Sequence, residues 1–162
     1  MKRSQLISSA VVAIAVLLAG TIAFADMSKK VIATFKGQIL ITDHPLAMEG
    51  TDKATIAEFK KSRLKEIKGE PNGEDVQSWS FNYSAFLKTT GSTDLKLEFY
   101  IGDKYVADQR LTDVDPKDPV LVGMISITED DGPTKGKAYT LKLVSVKGGK
   151  ETVLATTPLT MN

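Results

Sequence analysis

The chain has 162 residues, with 21 Lys or Arg against 20 Asp or Glu, a single histidine and no cysteine. A formal charge of +1 lacks the basic footprint of a nucleic-acid binder or of a polybasic membrane binder. Without cysteine there are no disulfides, no thiolate catalysis and no cysteine metal site, so stability must come from core burial.

Residues 1–25 read as a signal peptide. Met1-Lys2-Arg3 is a basic n-region, and Leu6 to Ala25 is apolar apart from Ser8, Ser9, Gly20 and Thr21. Ala23-Phe24-Ala25 places small residues at the two positions a signal peptidase reads. Cleavage there leaves residues 26–162, a length that suits one domain with its own core. Lys2 and Arg3 leave with the peptide, which takes the formal charge just below neutrality. The expectation is an exported bacterial product, periplasmic or secreted, with no membrane span after cleavage. An uncleaved anchor of about 20 apolar residues would hold the same domain outside the membrane.

Next in the chain, Val31, Ala33, Phe35, Ile39 and Ile41 fall on one parity, and Thr34, Lys36, Gln38 and Thr42 on the other. Period two with one wet face predicts a strand from Val31 to Ile41. Asp43-His44-Pro45 ends it. A helix is predicted over 52–68, with Thr51 or Asp52 as N-cap and Gly69 followed by Pro71 as the stop. Ile56, Phe59, Leu64 and Ile67 share one arc of that helix, although Lys60 and Arg63 intrude.

Everything after the loop Glu70-Pro71-Asn72-Gly73-Glu74 reads as strand. Trp79, Phe81 and Tyr83 alternate with Ser80, Asn82 and Ser84; Leu95, Leu97 and Phe99 alternate with Lys96 and Glu98. Further runs cover Tyr105 to Leu111, Val120 to Thr128, Tyr139 to Val146 and Glu151 to Thr160. Gly148-Gly149 supplies the positive φ of a tight hairpin. About seven strands with regular turn signals predict an antiparallel β-sandwich.

The segment "KGKAYTLKLVSVKGGKETVLATTPL" resembles the last two strands of a fibronectin type III or immunoglobulin-like domain. Gly136, the strand-opening Tyr139 and the Gly148-Gly149 turn carry the likeness, which covers the last quarter of the chain. It implies a mainly β, immunoglobulin-like sandwich of about seven antiparallel strands; the helix inserted after the first strand departs from that family.

Catalytic signals are sparse. His44 sits between Asp43 and Pro45 and reads as a turn residue. Ser62-Arg63-Leu64-Lys65 spells S-x-x-K, but the S-D-N partner motif is missing and Lys147-Gly148-Gly149 only faintly imitates K-T-G. The basic run Lys60, Lys61, Arg63, Lys65 and Lys68 is interrupted by Glu58 and Glu66 and reads as a solvated face. Asp113, Asp115 and Asp118, with Glu129, Asp130 and Asp131, are candidate oxygen ligands for Ca²⁺, although Asp-Pro and Asp-Gly are ordinary turn spellings. Trp79, Phe81 and Tyr83 read as core rather than as a sugar-stacking face, leaving Tyr100 and Tyr105 as the candidate contact surface.

No cofactor is called for. The expected function is a non-catalytic binding or structural module that engages a protein or envelope partner, and not nucleic acid, through loops or an exposed strand edge. The alternative is a calcium-dependent adhesion or carbohydrate-binding sandwich, and a hydrolase stands behind both.

Overall fold

Ser28 caps a helix where sequence alternation predicts a strand. In the computed structural model, which describes residues 27–73, 76–87, 94–112 and 114–162, the Ser28 hydroxyl accepts from Val31 N at 3.3 Å. Helix α1 then runs Lys29–Phe35. Val31 and Phe35, four residues apart, share a helix face as readily as they share a strand parity. Both are buried, whereas Ala33 between them is exposed, so the helical period holds. Gly37, at φ 77, turns the chain out of the helix in a conformation open to glycine, and Ile39–Thr42 alone forms strand β1. The signal-peptide expectation falls on residues outside those described, as does Asp113.

Helix α2 starts as predicted, with the Thr51 hydroxyl accepting from Ala54 N at 3.2 Å. It covers Asp52–Ser62 rather than 52–68. Arg63 takes an extended ψ of 120°, and Leu64 N donates to Ile41 O at 2.8 Å. The chain is therefore captured by the sheet instead of completing further turns. Two short strands follow, β2 (Glu66–Ile67) and β3 (Glu70–Pro71). Leu64 and Ile67 pack into the larger hydrophobic core from this extended segment, not from a helix face.

The remaining strands are β4 (Gln77–Phe86), β5 (Leu95–Ile101), β6 (Lys104–Leu111), β7 (Val120–Thr128), β8 (Lys137–Lys147) and β9 (Lys150–Met161). The protein is mainly β, with two sheets and two α-helices among the described residues. In the first sheet β7 flanks β4 along its full length, while β1 and β3 share β4's opposite edge. The second sheet has the order β2-β9-β8-β5-β6, with β2 parallel to β9 and the other pairs antiparallel. Gln38 bridges Thr156 in parallel, and Phe86 N donates to Gln38 O at 3.0 Å. The chain thus steps from one sheet to the other at this edge. The β8–β9 hairpin closes on Gly148 (φ 58) and Gly149 (φ 76), the pair of left-handed residues a two-residue turn requires.

Alternation now explains the core. Trp79, Phe81, Tyr83 and Ala85 of β4 meet Leu95, Leu97 and Phe99 of β5 and Tyr139, Leu141 and Leu143 of β8 between the sheets. A second cluster lies on the outer face of the first sheet, where Val31, Phe35 and Phe59 of the helices cover Leu40, Phe86 and Val120. The Phe35 ring lies 5.8 Å from Phe59 and 5.2 Å from Phe86, in tilted geometry that favours aromatic contact. The helices cover only that end of the face. Among the described residues no helix is long and apolar enough to cross a membrane.

Candidate functional site, an unpaired sheet edge

β7 has one neighbouring strand among the described residues, β4. Leu87 N donates to Pro119 O at 2.7 Å, and that pair sets the phase of the ladder. In an antiparallel pair, alternate residues turn both backbone groups toward the neighbour. Leu121, Gly123, Ile125 and Ile127 therefore bond to β4. Val122, Met124 and Ser126 direct N–H and C=O away from the sheet.

The same three residues place their side chains on the outer face, beyond the reach of the helices. Met124 is 68% exposed and Val122 is 39% exposed, so this strand carries two of the large apolar side chains that meet solvent. Beside them on β4 lie Ser80 and Asn82, and Ser80 donates to Ser126 Oγ at 3.2 Å. The strip is uncharged from Val120 to Thr128. Nothing in it blunts strand pairing: it holds neither a proline nor a lysine, the residues that protect natural sheet edges.

The outermost strand of the second sheet contrasts with it. β6 carries Lys104, Asp108 and Arg110, and its pairing with β5 is interrupted by a register shift at Phe99/Tyr100. Lys96 Nζ lies 3.6 Å from Asp108 and 4.0 Å from Glu151. Charges and an irregularity guard that edge, whereas β7 is bare.

Acidic turns flank β7. Asp115 Oδ1 accepts from Lys117 N at 2.8 Å, and Asp118 follows, exposed. At the far end Asp131 Oδ2 accepts from Thr128 N and Thr128 Oγ1, both at 2.9 Å, and Glu129 Oε1 accepts from Lys135 N at 3.0 Å. The two groups of candidate calcium ligands are thus separated by the whole of β7, about 30 Å at the rise of an extended strand. They cannot share one ion. Among the described residues no three His, Asp or Glu side chains converge in a way that could hold a metal.

The predicted contact pair Tyr100 and Tyr105 is brought together on the outer face of the second sheet. Their rings meet edge to face at 5.9 Å, because the register shift puts both on one side. Lys142 Nζ sits 3.7 Å from the Tyr100 ring centroid, and Tyr100 donates to Glu98 Oε2 at 2.9 Å. That bond to a carboxylate is the main cause that raises the Tyr100 phenol to about 12. Tyr105 is also raised, first by desolvation and then by Asp108. One face of Tyr100 is already occupied by the Lys142 ammonium, a contact worth about 0.5–1 kcal/mol at an exposed site.

The catalytic candidates are not assembled. Ser62 donates to Glu58 Oε1 at 2.8 Å, and Lys65 lies beyond the end of α2, so the S-x-x-K spelling does not span one helical turn. His44 Nδ1 pairs with its neighbour Asp43 at an exposed position. Trp79, Phe81 and Tyr83 are buried in the core. A cleft of about 260 Å³ at the start of α2 is lined by Met27, Val31, Met48 and Thr55 among others. The Thr55 hydroxyl there is already bonded to Glu49 N and O.

No protein-family model matches the chain, and no curated protein or solved structure is significantly similar to it. Of the site's features, only the span of β7, Val120 to Thr128, was legible from the sequence. Its position at the border of a sheet could not be read there, because alternation does not say how many neighbours a strand has.

Proposed function

We propose that this protein is an exported, non-catalytic binding module that takes an extended segment of a partner protein alongside β7. One observation carries it: the backbone groups of Val122, Met124 and Ser126 face outward along an uncharged edge. Strand addition supplies affinity through main-chain hydrogen bonds and specificity through alternate side chains. Export rests on the basic n-region, apolar stretch and Ala23-Phe24-Ala25 site. The non-catalytic part is supported by the Ser62 hydroxyl, which is engaged by Glu58.

We also infer an immunoglobulin-like arrangement. β1, β4 and β7 sit together as the first, second and fifth strands of such domains do, and β5, β8 and β9 as the third, sixth and seventh. β6, the fourth, joins the β5 sheet. At the corner before β8, Thr134 N donates to Tyr139 Oη at 2.7 Å and Tyr139 Oη donates to Thr134 O at 3.3 Å. A tyrosine bonded back to the backbone a few residues upstream marks this corner in immunoglobulin-like sandwiches.

The test places a photo-crosslinking amino acid at position 124 and another at position 105 in the exported protein. A single discrete adduct from position 124, absent from position 105, is expected. Equal labelling from both positions, or none, overturns the β7 assignment.

A further inference from the structure

We propose that the segment received by β7 is apolar along its middle and carries basic residues at both ends. The inference rests on the strand-addition function above and adds the chemistry of the partner. Among the described residues of the two turns, Asp115 and Asp118 precede the strand, Glu129, Asp130 and Asp131 follow it, and Lys117 and Lys135 are the bases set against them. A strand laid along β7 in either direction therefore meets net negative charge at each end. Its middle meets Val122, Met124 and Ser126, where a charged side chain would find no counterpart.

A second copy of this chain fits less well. Antiparallel pairing of two β7 edges centred on Met124 sets Asp118 of each copy opposite Asp130 of the other, and both are exposed. Lys117 comes opposite Asp131 in that register, but the Asp131 carboxylate is already held by Thr128. Like charges directly opposite on paired strands are destabilising. The acidic ends thus act twice, against self-association of a bare edge and for a cationic strand.

The experiment uses the exported chain and two labelled peptides of about nine residues, matching β7. Both alternate valine and threonine; one carries lysine at each end and the other glutamate. The lysine-ended peptide is expected to bind about fivefold tighter at low salt, from two exposed ion pairs, with the preference vanishing near 1 M salt. Asp118→Lys with Asp130→Lys should reverse the preference. Met124→Pro should abolish binding of both peptides, because it removes an outward N–H at a position where an edge strand tolerates proline. Met124→Lys with Val122→Lys serves the same purpose if the proline variant melts early.

Equal binding of both peptides, lost in Met124→Pro, would overturn the cationic partner and leave strand addition standing. Binding untouched by Met124→Pro and by the double lysine variant would overturn both. So would no peptide binding at all, and if the chain also dimerises in a way that Met124→Pro prevents, a second copy is the occupant.

Discussion

Tyr83 lies across Gly123, the residue directly opposite it on β7. A Cβ at Gly123 would stand 2.8 Å from Tyr83 Cε1 and 2.8 Å from its hydroxyl. The glycine leaves a gap in the inner face of the edge strand, and the ring of the neighbouring strand fills it. Packing of the candidate edge therefore depends on one large and one absent side chain.

Gly123→Ala should accordingly destabilise the fold by about 1–3 kcal/mol, the usual cost of forcing atoms into a packed site. The thermal midpoint should fall by several degrees. In a Tyr83→Val background the same substitution should cost much less, a coupling that a double-mutant cycle measures directly. Equal penalties in both backgrounds would mean that the ring does not occupy this gap.

Burial also pushes the Tyr83 phenol up to about 12, against about 10 in an unfolded chain. The folded state holds the proton more tightly, so between pH 10 and 12 the unfolded chain releases one that the native protein keeps. Stability from this group is complete below pH 10 and is lost as pH rises toward 12, by an amount on the order of 2 kcal/mol. Urea titrations at pH 9, 10, 11 and 12 should show a shallower alkaline loss in Tyr83→Phe. An identical slope in both proteins would show that Tyr83 is not the group responsible. Tyr100 is raised for a different reason, chiefly the Glu98 carboxylate it donates to. Glu98→Gln should let it ionise at lower pH in an absorbance titration.

Gly69 offers a third check, in the link between β2 and β3 where it lies against the start of β4. A Cβ there would meet Trp79 Nε1 at 2.6 Å and Ser78 O at 2.8 Å, and would also collide with the Gln77 side-chain amide. Trp79 Nε1 donates to Asn162 O at 3.1 Å, so displacement of the indole also breaks this partly buried hydrogen bond. Gly69→Ala should cost about 2 kcal/mol or more and shift the emission of this single tryptophan to the red. Unchanged emission and an unchanged melt would show that Gly69 is not in contact with the ring.

The sequence made some of this legible and hid the rest for identifiable reasons. Trp79, Phe81 and Tyr83 were readable as core because one face of β4 is small and polar, and Gly148-Gly149 announced its hairpin. Thr51 marked the start of α2. Val31 and Phe35 misled because a spacing of four satisfies both periods, and only the exposure of Ala33 separates them. Leu64 and Ile67, three apart, looked helical because that spacing fits a helix face; a tertiary bond from Leu64 N to Ile41 O overrode the local pattern. Tyr100 and Tyr105 share a face only through the register shift beside Phe99, which no local spelling announces. That β7 has a single neighbour among the described residues is a property of strand order, and strand order is set by long-range packing.

Calcium provides the last prediction, because strand order also decides that question. Asp115 and Asp118 lie before β7, and Glu129, Asp130 and Asp131 lie after it, about 30 Å apart along an extended strand. Each turn uses carboxylate oxygens internally: Asp115 on Lys117 N, Asp131 on Thr128 and Glu129 on Lys135 N. Calcium needs six to eight oxygen ligands about one site, so neither turn alone brings a full set without breaking its own bonds. Excess ligand at a hundredfold over Kd stabilises a fold by about 2.7 kcal/mol, a shift of several degrees for a domain of this size. Melts with and without millimolar calcium should coincide within a degree or so, in the parent and in Asp115→Asn and Asp130→Asn alike. A rise of several degrees, lost in only one of those variants, would place a site in that single turn and revive calcium-dependent adhesion as the protein's role.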